Sequence, residues 1–225
     1  MLKTTFTLRE KRTLTHDVYE LVYDCPDMIA EIPKPGQYVM FQLAPWLNRA
    51  YSFASYKRGE FTLIIKRIAI GKGSPIICDA EVGSKFSGLL PLGHFVLRDT
   101  NVSKCFIWTW TGFAPLYCMV LDLLAKWNFS QKLSFLYGVR EHQDSFYLTE
   151  MKDISTQLNL DFLPFLSGDI QDYAQRWYVT DWIINENVQS FQEFYICWSP
   201  AMVKSAREKL EALGIEKERV FFEPY

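Results

Sequence analysis

Two domains are the fold this sequence predicts: an N-terminal antiparallel β-barrel over residues 1–100, then an α/β domain with a mostly parallel sheet over 101–225. Three observations carry the prediction. The chain has 225 residues, enough for two units each burying a core, and 49% of them are apolar against 22% charged, which is globular composition. Up to Leu97 it reads as short alternating runs broken by turn residues. Beyond "RDTNVSK" apolar runs alternate instead with stretches of helical spacing.

The runs of the first half are "TFTLREKR", "DVYELVYD", "QYVMFQL", "EFTLIIKRI" and "SKFSGLLPLGHFVL". Their period of two places side chains on opposite faces, as in strands with one buried side. So many strands in so short a stretch favour closure, because a barrel leaves no bare edge. "SPIICDAEV" is the one helical candidate here, with Ser74 as its N-cap. In the second half "KCFIWTW", "KLSFLYGV" and "EFYICWS" read as strands, while "FAPLYCMVLDLLAKW" and "PAMVKSAREKLEALG" read as helices, the latter stopping at Gly214. This β-α order implies a parallel sheet covered by helices on both faces, with ligands at the carboxyl ends of its strands. The boundary falls near residues 98–103, and no repeat or low-complexity segment is visible.

A formal net charge of -2 with both signs interspersed gives no nucleic-acid footprint. The start "MLKTTFTLRE" lacks the apolar core of a signal peptide, and no apolar run approaches the roughly 20 residues that cross a bilayer. A cytoplasmic protein without nucleic-acid or membrane partners is therefore expected. Its five cysteines form no C-x-x-C pair and there are only three histidines, so reduced thiols are expected and no metal site. Aromatic residues make up 16% of the chain, more than a core of this size usually requires, which hints at rings that face a ligand.

Five short stretches carry chemistry. In "NRAYS", Arg49 and Tyr51 project to one side of an extended segment and Ser52 to the other. A guanidinium suits phosphate and a phenol ring suits a flat ligand, although a barrel strand with a surface Arg and a half-buried Tyr has the same pattern. "GKGSPIICD" sets Gly71, Lys72, Gly73 and Ser74 before a helix, where free N–H groups bind anions; a plain glycine turn is the alternative. "TWTGFAPL" joins a strand to a helix through Thr111 and Gly112, the layout of a nucleotide site but without G-x-G-x-x-G. In "YICWSPAM", Cys197 ends a strand, where it is either a partly exposed thiol of a site or a small buried apolar group. "RVFF" runs close to the last residues, so Glu223 and Tyr225 are expected to be docked rather than frayed.

Taken in order, "PGQYVMFQL", "RAYS", "GKGS", "PLGHFVL", "TGFAPL", "LYGVRE", "YICWSPAM" and "EPY" resemble the ferredoxin-NADP reductase superfamily over essentially the whole chain. That superfamily includes flavodoxin reductases, NAD(P)H-flavin reductases and the reductase components of oxygenases. The resemblance implies an FAD-binding barrel over 1–100 and an NAD(P)-binding-like domain over 101–225. It implies that Arg49 holds the flavin phosphate, that Tyr51 lies against the isoalloxazine with Ser52 near its N5, and that Gly73 and Ser74 cradle the pyrophosphate. Ala50, Lys66, Gly71 and Lys72 complete the flavin set, with Thr111, Gly112 and Arg140 on the nicotinamide nucleotide. Ser52, Cys197, Glu223 and Tyr225 become the catalytic group, the terminal ring covering the flavin. The activity so implied is electron transfer between a nicotinamide nucleotide and a ferredoxin- or flavodoxin-like protein, or a small acceptor, by a monomer.

The departures cluster in the second half. Where the superfamily carries G-G-T-G this chain has Thr109, Trp110, Thr111 and Gly112, and where it carries C-G-P-P this chain has Cys197, Trp198, Ser199 and Pro200. Indoles stand where glycines let backbone approach a dinucleotide. In "LSGDIQ", Gly168 and Asp169 replace an arginine that follows serine in NADP-specific members, which favours NADH over NADPH, with Arg140 and Arg176 as the remaining phosphate partners. Two rivals follow: a flavin-bearing electron-transfer or regulatory subunit that has lost productive NAD(P)H binding, and a silent binding module on the same fold.

Overall fold

The structure is a computed structural model and describes every residue except Ala30, Trp127, Asn128 and Tyr225; for Thr111 the backbone alone is described. The chain divides into two compact units, Met1–Leu97 with Tyr117–Leu121, and Arg98–Leu116 with Asp122–Tyr225.

Six strands build the first unit: β1 (Leu2–Thr13), β2 (Val18–Asp24), β3 (Tyr38–Ala44), β4 (Leu47–Lys57), β5 (Glu60–Lys66) and β6 (Lys85–Leu92). They close into a barrel in the order β1-β2-β5-β4-β3-β6, so every strand is paired on both sides. Alternation along the strands sends Phe6 and Leu8, Leu21 and Tyr23, Val39 and Phe41, and Phe61 and Leu63 inside, each fully or almost fully buried. Their rings meet edge to face, Phe6 lying 4.8 Å from Phe41 and 5.2 Å from Phe61 between centroids, while Tyr23 stacks on Phe61. Much of the aromatic excess is thus core packing rather than a ligand surface. Two expectations are corrected. The strand read through to Leu97 stops at Leu92, where Gly93 turns the chain with φ +99°. The helix read from "SPIICDAEV" is only α1 (Ser74–Cys78), capped by Gly73, with Ser74 inside it rather than capping it.

In the second unit β7 (Lys104–Thr109), β8 (Leu133–Val139), β9 (Leu160–Leu166), β10 (Glu193–Trp198) and β11 (Val220–Pro224) form a parallel sheet in the order β11-β10-β7-β8-β9. The helices are α2 (Phe113–Ala125), α3 (Leu148–Gln157), α4 (Asn185–Val188) and α5 (Pro200–Ala212). β8 is buried along its whole length, and β7 and β10 at all but their last residue, because both sheet faces are covered. The chain steps from β7 outward to β8 and β9, then returns to the other side of β7 with β10. That reversal opens a crevice at the carboxyl ends of β7 and β10.

Near the opposite end of these strands, Lys104 Nζ donates to Glu193 Oε2 at 2.7 Å, and Thr100 and Tyr195 hydroxyls donate to the same carboxylate at 2.7 and 2.8 Å. Burial pushes the Glu193 carboxyl up, but the ammonium and the two hydroxyls prevail and hold it below its ordinary range.

Candidate functional site

In the first unit the two stretches singled out in the sequence come together. Arg49, Tyr51 and Ser52 lie on β4, with Arg49 exposed, Tyr51 half-buried and Ser52 buried, as alternation requires. Tyr51 meets Phe41 edge to face at 5.6 Å, and burial raises its phenol pKa, with Cys78 adding to the rise and Arg49 opposing it. The loop before α1 is closed on itself: Ile68 N–H donates to Ser74 Oγ at 3.0 Å and Gly71 N–H to the Ile68 carbonyl at 2.8 Å. Arg67 pins its far side by a two-pronged contact to Asp79 at 2.7 and 2.8 Å.

Gly73 is the contact between strand and loop. A Cβ on it would stand 2.5 Å from Arg49 Cγ and 3.3 Å from Arg49 Nε, so the arginine lies across the bare backbone at the first turn of α1. A guanidinium beside the N–H groups of a helix start makes a cradle for an anion, and a side chain at position 73 would fill it. The residues present therefore fit the phosphates of a flavin dinucleotide. Lys66 is engaged elsewhere, its ammonium held 2.8 Å from Asp17. Ala50 pairs with Met40 across the β3–β4 ladder, and Lys72 is exposed on the loop.

The second unit holds a cavity of about 390 Å³ at the strand ends where the sheet reverses. Thr109 and Trp110 reach it after β7, Gly138 to Arg140 from the end of β8, Ser167 after β9, and Trp198 and Ser199 from the end of β10. Trp177, Tyr178 and Thr180 close another side. Trp177 and Tyr178 are more than half exposed and lie in a segment with no strand or helix pattern; the "WY" pair itself was the only signal for them. Ser199 accepts from Met202 N–H at 3.3 Å and so caps α5.

At Gly112 a Cβ would stand 2.5 Å from the Cys197 carbonyl oxygen and 2.9 Å from Trp198 Cβ, so the turns after β7 and β10 touch through their backbones. The glycine makes room for protein. Trp110 and Trp198 have φ of +55° and +130°, in a region L side chains rarely adopt. Cys197 is fully buried, which of the two readings offered by the sequence selects the small buried group over the partly exposed thiol; burial, and then Glu223 beside it on β11, push its pKa up. Asp169 is taken up locally, its carboxylate accepting from Gln171 Nε2 at 3.2 Å, Ile170 N–H at 2.7 Å and His142 N–H at 3.3 Å, which keeps its pKa low. Of the remaining predicted residues, Arg140 lines the cavity, the Thr111 side chain is not described, and Tyr225 lies outside the described residues.

This pairing of a barrel with a parallel sheet that reverses at a cavity defines a class of two-unit flavoprotein oxidoreductases. Residues 5–97 match the family model "Oxidoreductase FAD-binding domain" and residues 106–208 match "Oxidoreductase NAD-binding domain". The chain belongs to the ferredoxin-NADP reductase superfamily. It is 28% identical over 196 residues to the toluate 1,2-dioxygenase electron transfer component of Pseudomonas putida, covering 85% of this chain and 58% of that protein. It is 30% identical over 198 residues to one subunit of the Na(+)-translocating NADH-quinone reductase of Marinomonas sp. (strain MWYL1), covering 79% of this chain and 48% of that one. The chain thus spans about half the length of the curated relatives it matches. Among solved structures, the Amycolatopsis cytochrome P450 reductase GcoB superposes with a TM-score of 0.88 at 23% identity, over 99% of this chain and 69% of that one. A ferredoxin NADP+ reductase from Neisseria gonorrhoeae with bound FAD and NADP gives 0.84 at 14% identity, over 99% and 98%. These last two are likenesses of fold.

Proposed function

We propose that this protein is an FAD-dependent reductase that takes electrons from NADH or NADPH and passes them to a ferredoxin- or flavodoxin-like protein or to a small acceptor. The observation that supports the reading is the Arg49–Gly73 contact, which leaves a cationic cradle of the kind that suits the phosphates of a flavin dinucleotide. Bound flavin supplies the acceptance of a hydride and the release of single electrons. In this reading residues 1–100 are the flavin domain and 101–225 the nicotinamide domain. Arg49 with Gly73 and Ser74 binds phosphate, Tyr51 offers its ring face to the isoalloxazine, and Ser52 orients the reactive edge of the flavin. Arg140 is the cation available to a nucleotide in the cavity. Glu223 is the acid nearest Cys197, and the thiol acts as a buried packing group beside the nicotinamide rather than as a nucleophile. Tyr225 is the proposed cover of the flavin. NADH is favoured over NADPH on relatives named as subunits of the Na(+)-translocating NADH-quinone reductase, while Asp169, engaged by its own loop and absent from the cavity wall, adds little to that preference. A cytoplasmic monomer with reduced thiols completes the proposal, supported by five buried free cysteines.

Trp110 and Trp198 favour a second reading, a flavin-bearing electron-transfer subunit that NAD(P)H reduces poorly. Anaerobic stopped-flow mixing of the FAD-loaded protein with NADH and with NADPH separates the two by the absorbance near about 450 nm, a flavin band. Bleaching within seconds by one nucleotide establishes the reductase. A band that persists with both nucleotides, but falls with dithionite, establishes the second reading.

A further inference from the structure

We propose that Trp110 and Trp198 are the specificity-determining residues of the second unit's cavity: together they cover the start of α2 and restrain the binding of a nicotinamide dinucleotide. The inference rests on the reading of this cavity as the nucleotide site.

Both tryptophans leave neighbouring strand ends, Trp110 directly after β7 and Trp198 as the last residue of β10, and both line the same cavity. Each stands on backbone that suits glycine, with φ of +55° and +130°. Glycine would take either conformation without strain, whereas a residue with a Cβ does so only where its surroundings enforce it. Both indoles stand on such backbone, so the surroundings of each side chain hold it there.

Their placement says what they do. Gly112 caps α2, a helix of 13 residues, and offers no side-chain bond to the N–H groups of the first turn. That turn is suited to a phosphate. Yet Trp198 Cβ lies 2.9 Å from where a Gly112 Cβ would be, and the Cys197 carbonyl oxygen lies 2.5 Å from it. The backbone of the β10 turn and the root of an indole thus pack against Gly112, the cap of α2, with the second indole two residues upstream in the same turn. At α5 the Ser199 hydroxyl already takes the Met202 N–H. The cavity offers a dinucleotide aromatic faces and Arg140 in place of an open phosphate cradle.

The test is isothermal titration of NADH and NADPH into the FAD-loaded protein and its Trp110→Gly, Trp198→Gly and double variants, with bound flavin per chain and anaerobic flavin bleaching measured on the same samples. Flavin content should stay at the wild-type level, since neither residue lies in the barrel. The double variant is expected to bind at least one dinucleotide about tenfold more tightly or better, each single variant falling between. Trp198→Gly alone, expected to tighten binding several-fold, carries the test if the double variant folds poorly. Unchanged or weaker affinity in variants that retain flavin overturns the inference, and rapid bleaching of the wild type by NADH in that case leaves the reductase reading standing. If neither wild type nor variants bind any dinucleotide while flavin is retained, both the inference and the nicotinamide half of the reading fall.

Discussion

Arg49 reaches the first turn of α1 because residue 73 has no side chain. Hydrogen bonds to charged groups contribute about 1.5–3 kcal/mol, so Arg49→Ala should weaken FAD binding by roughly 10- to 100-fold, read from flavin fluorescence on titration. Gly73→Ala should do comparable damage, since the new methyl displaces the arginine; an affinity within twofold of wild type in both variants would remove Arg49 from the site. Cys197 makes the opposite kind of prediction. With its pKa raised by burial, the thiol stays protonated and enclosed at neutral pH and just above, so a thiol-specific disulfide reagent at about pH 8 should leave Cys197 unmodified until denaturant is added, as peptide mapping would show. Both pieces of the candidate anion cradle were legible as short strings, because a cation on a strand and glycines before a helix are local signals. Their meeting was expected only through the resemblance and not from the strings themselves, and the diversion of Lys66 to Asp17 was not legible at all, because both depend on how segments remote in sequence are brought together.

Among the elements, β7 and β10 are joined by a buried ion pair whose removal can be read by pH. The Glu193 carboxyl lies below its ordinary range in the folded protein. Its contribution is therefore complete above the unfolded value of about 4.3 and is lost as pH falls through the lower folded value. Glu193→Gln leaves the Lys104 ammonium buried without its counter-ion, which costs about 3–5 kcal/mol at neutral pH, and it should flatten the acid limb of stability measured by urea unfolding. An acid limb identical to wild type would show that other carboxylates govern it. At the turn after β7, Gly112→Ala should destabilise the second unit by more than about 1 kcal/mol, because the methyl meets carbonyl rather than a flexible chain end. Most strands announced themselves by alternation or by unbroken apolar runs. β9 and α3 did not: β9 carries Pro164, which an edge strand tolerates, and α3 has only Met151 and Ile154 as buried residues among polar neighbours. α1 was overestimated because "CDAEV" has good helix formers, while Asp79 is held by Arg67 just where the helix ends.

For the molecule as a whole, two units with separate cores should respond separately to ligand. FAD present at about 100 times its dissociation constant should stabilise the first unit by about 2.7 kcal/mol. In calorimetry with and without FAD, a transition belonging to the barrel should therefore move upward; equal movement of every transition would mean the units melt as one. Legibility was greatest at this scale. The change of rhythm near "RDTNVSK" separates the units because a sheet buried on both faces needs a different pattern from a barrel buried on one. The segment carrying Trp177 and Tyr178 was silent by contrast, since a cavity wall made of loop obeys no period.

The order of strands in the second unit also dictates a schedule for its birth. β7 ends up in the middle of the sheet but is made first, and the strand that fills its far side, Glu193–Trp198, follows after β8 and β9. During synthesis the ribosome therefore releases a half-sheet of three strands whose first-made member, β7, has a bare edge along a strand buried at all but its last residue in the finished sheet. A nascent chain halted before residue 193 would be the form most prone to pair with its neighbours, and the form for which a chaperone has most to cover.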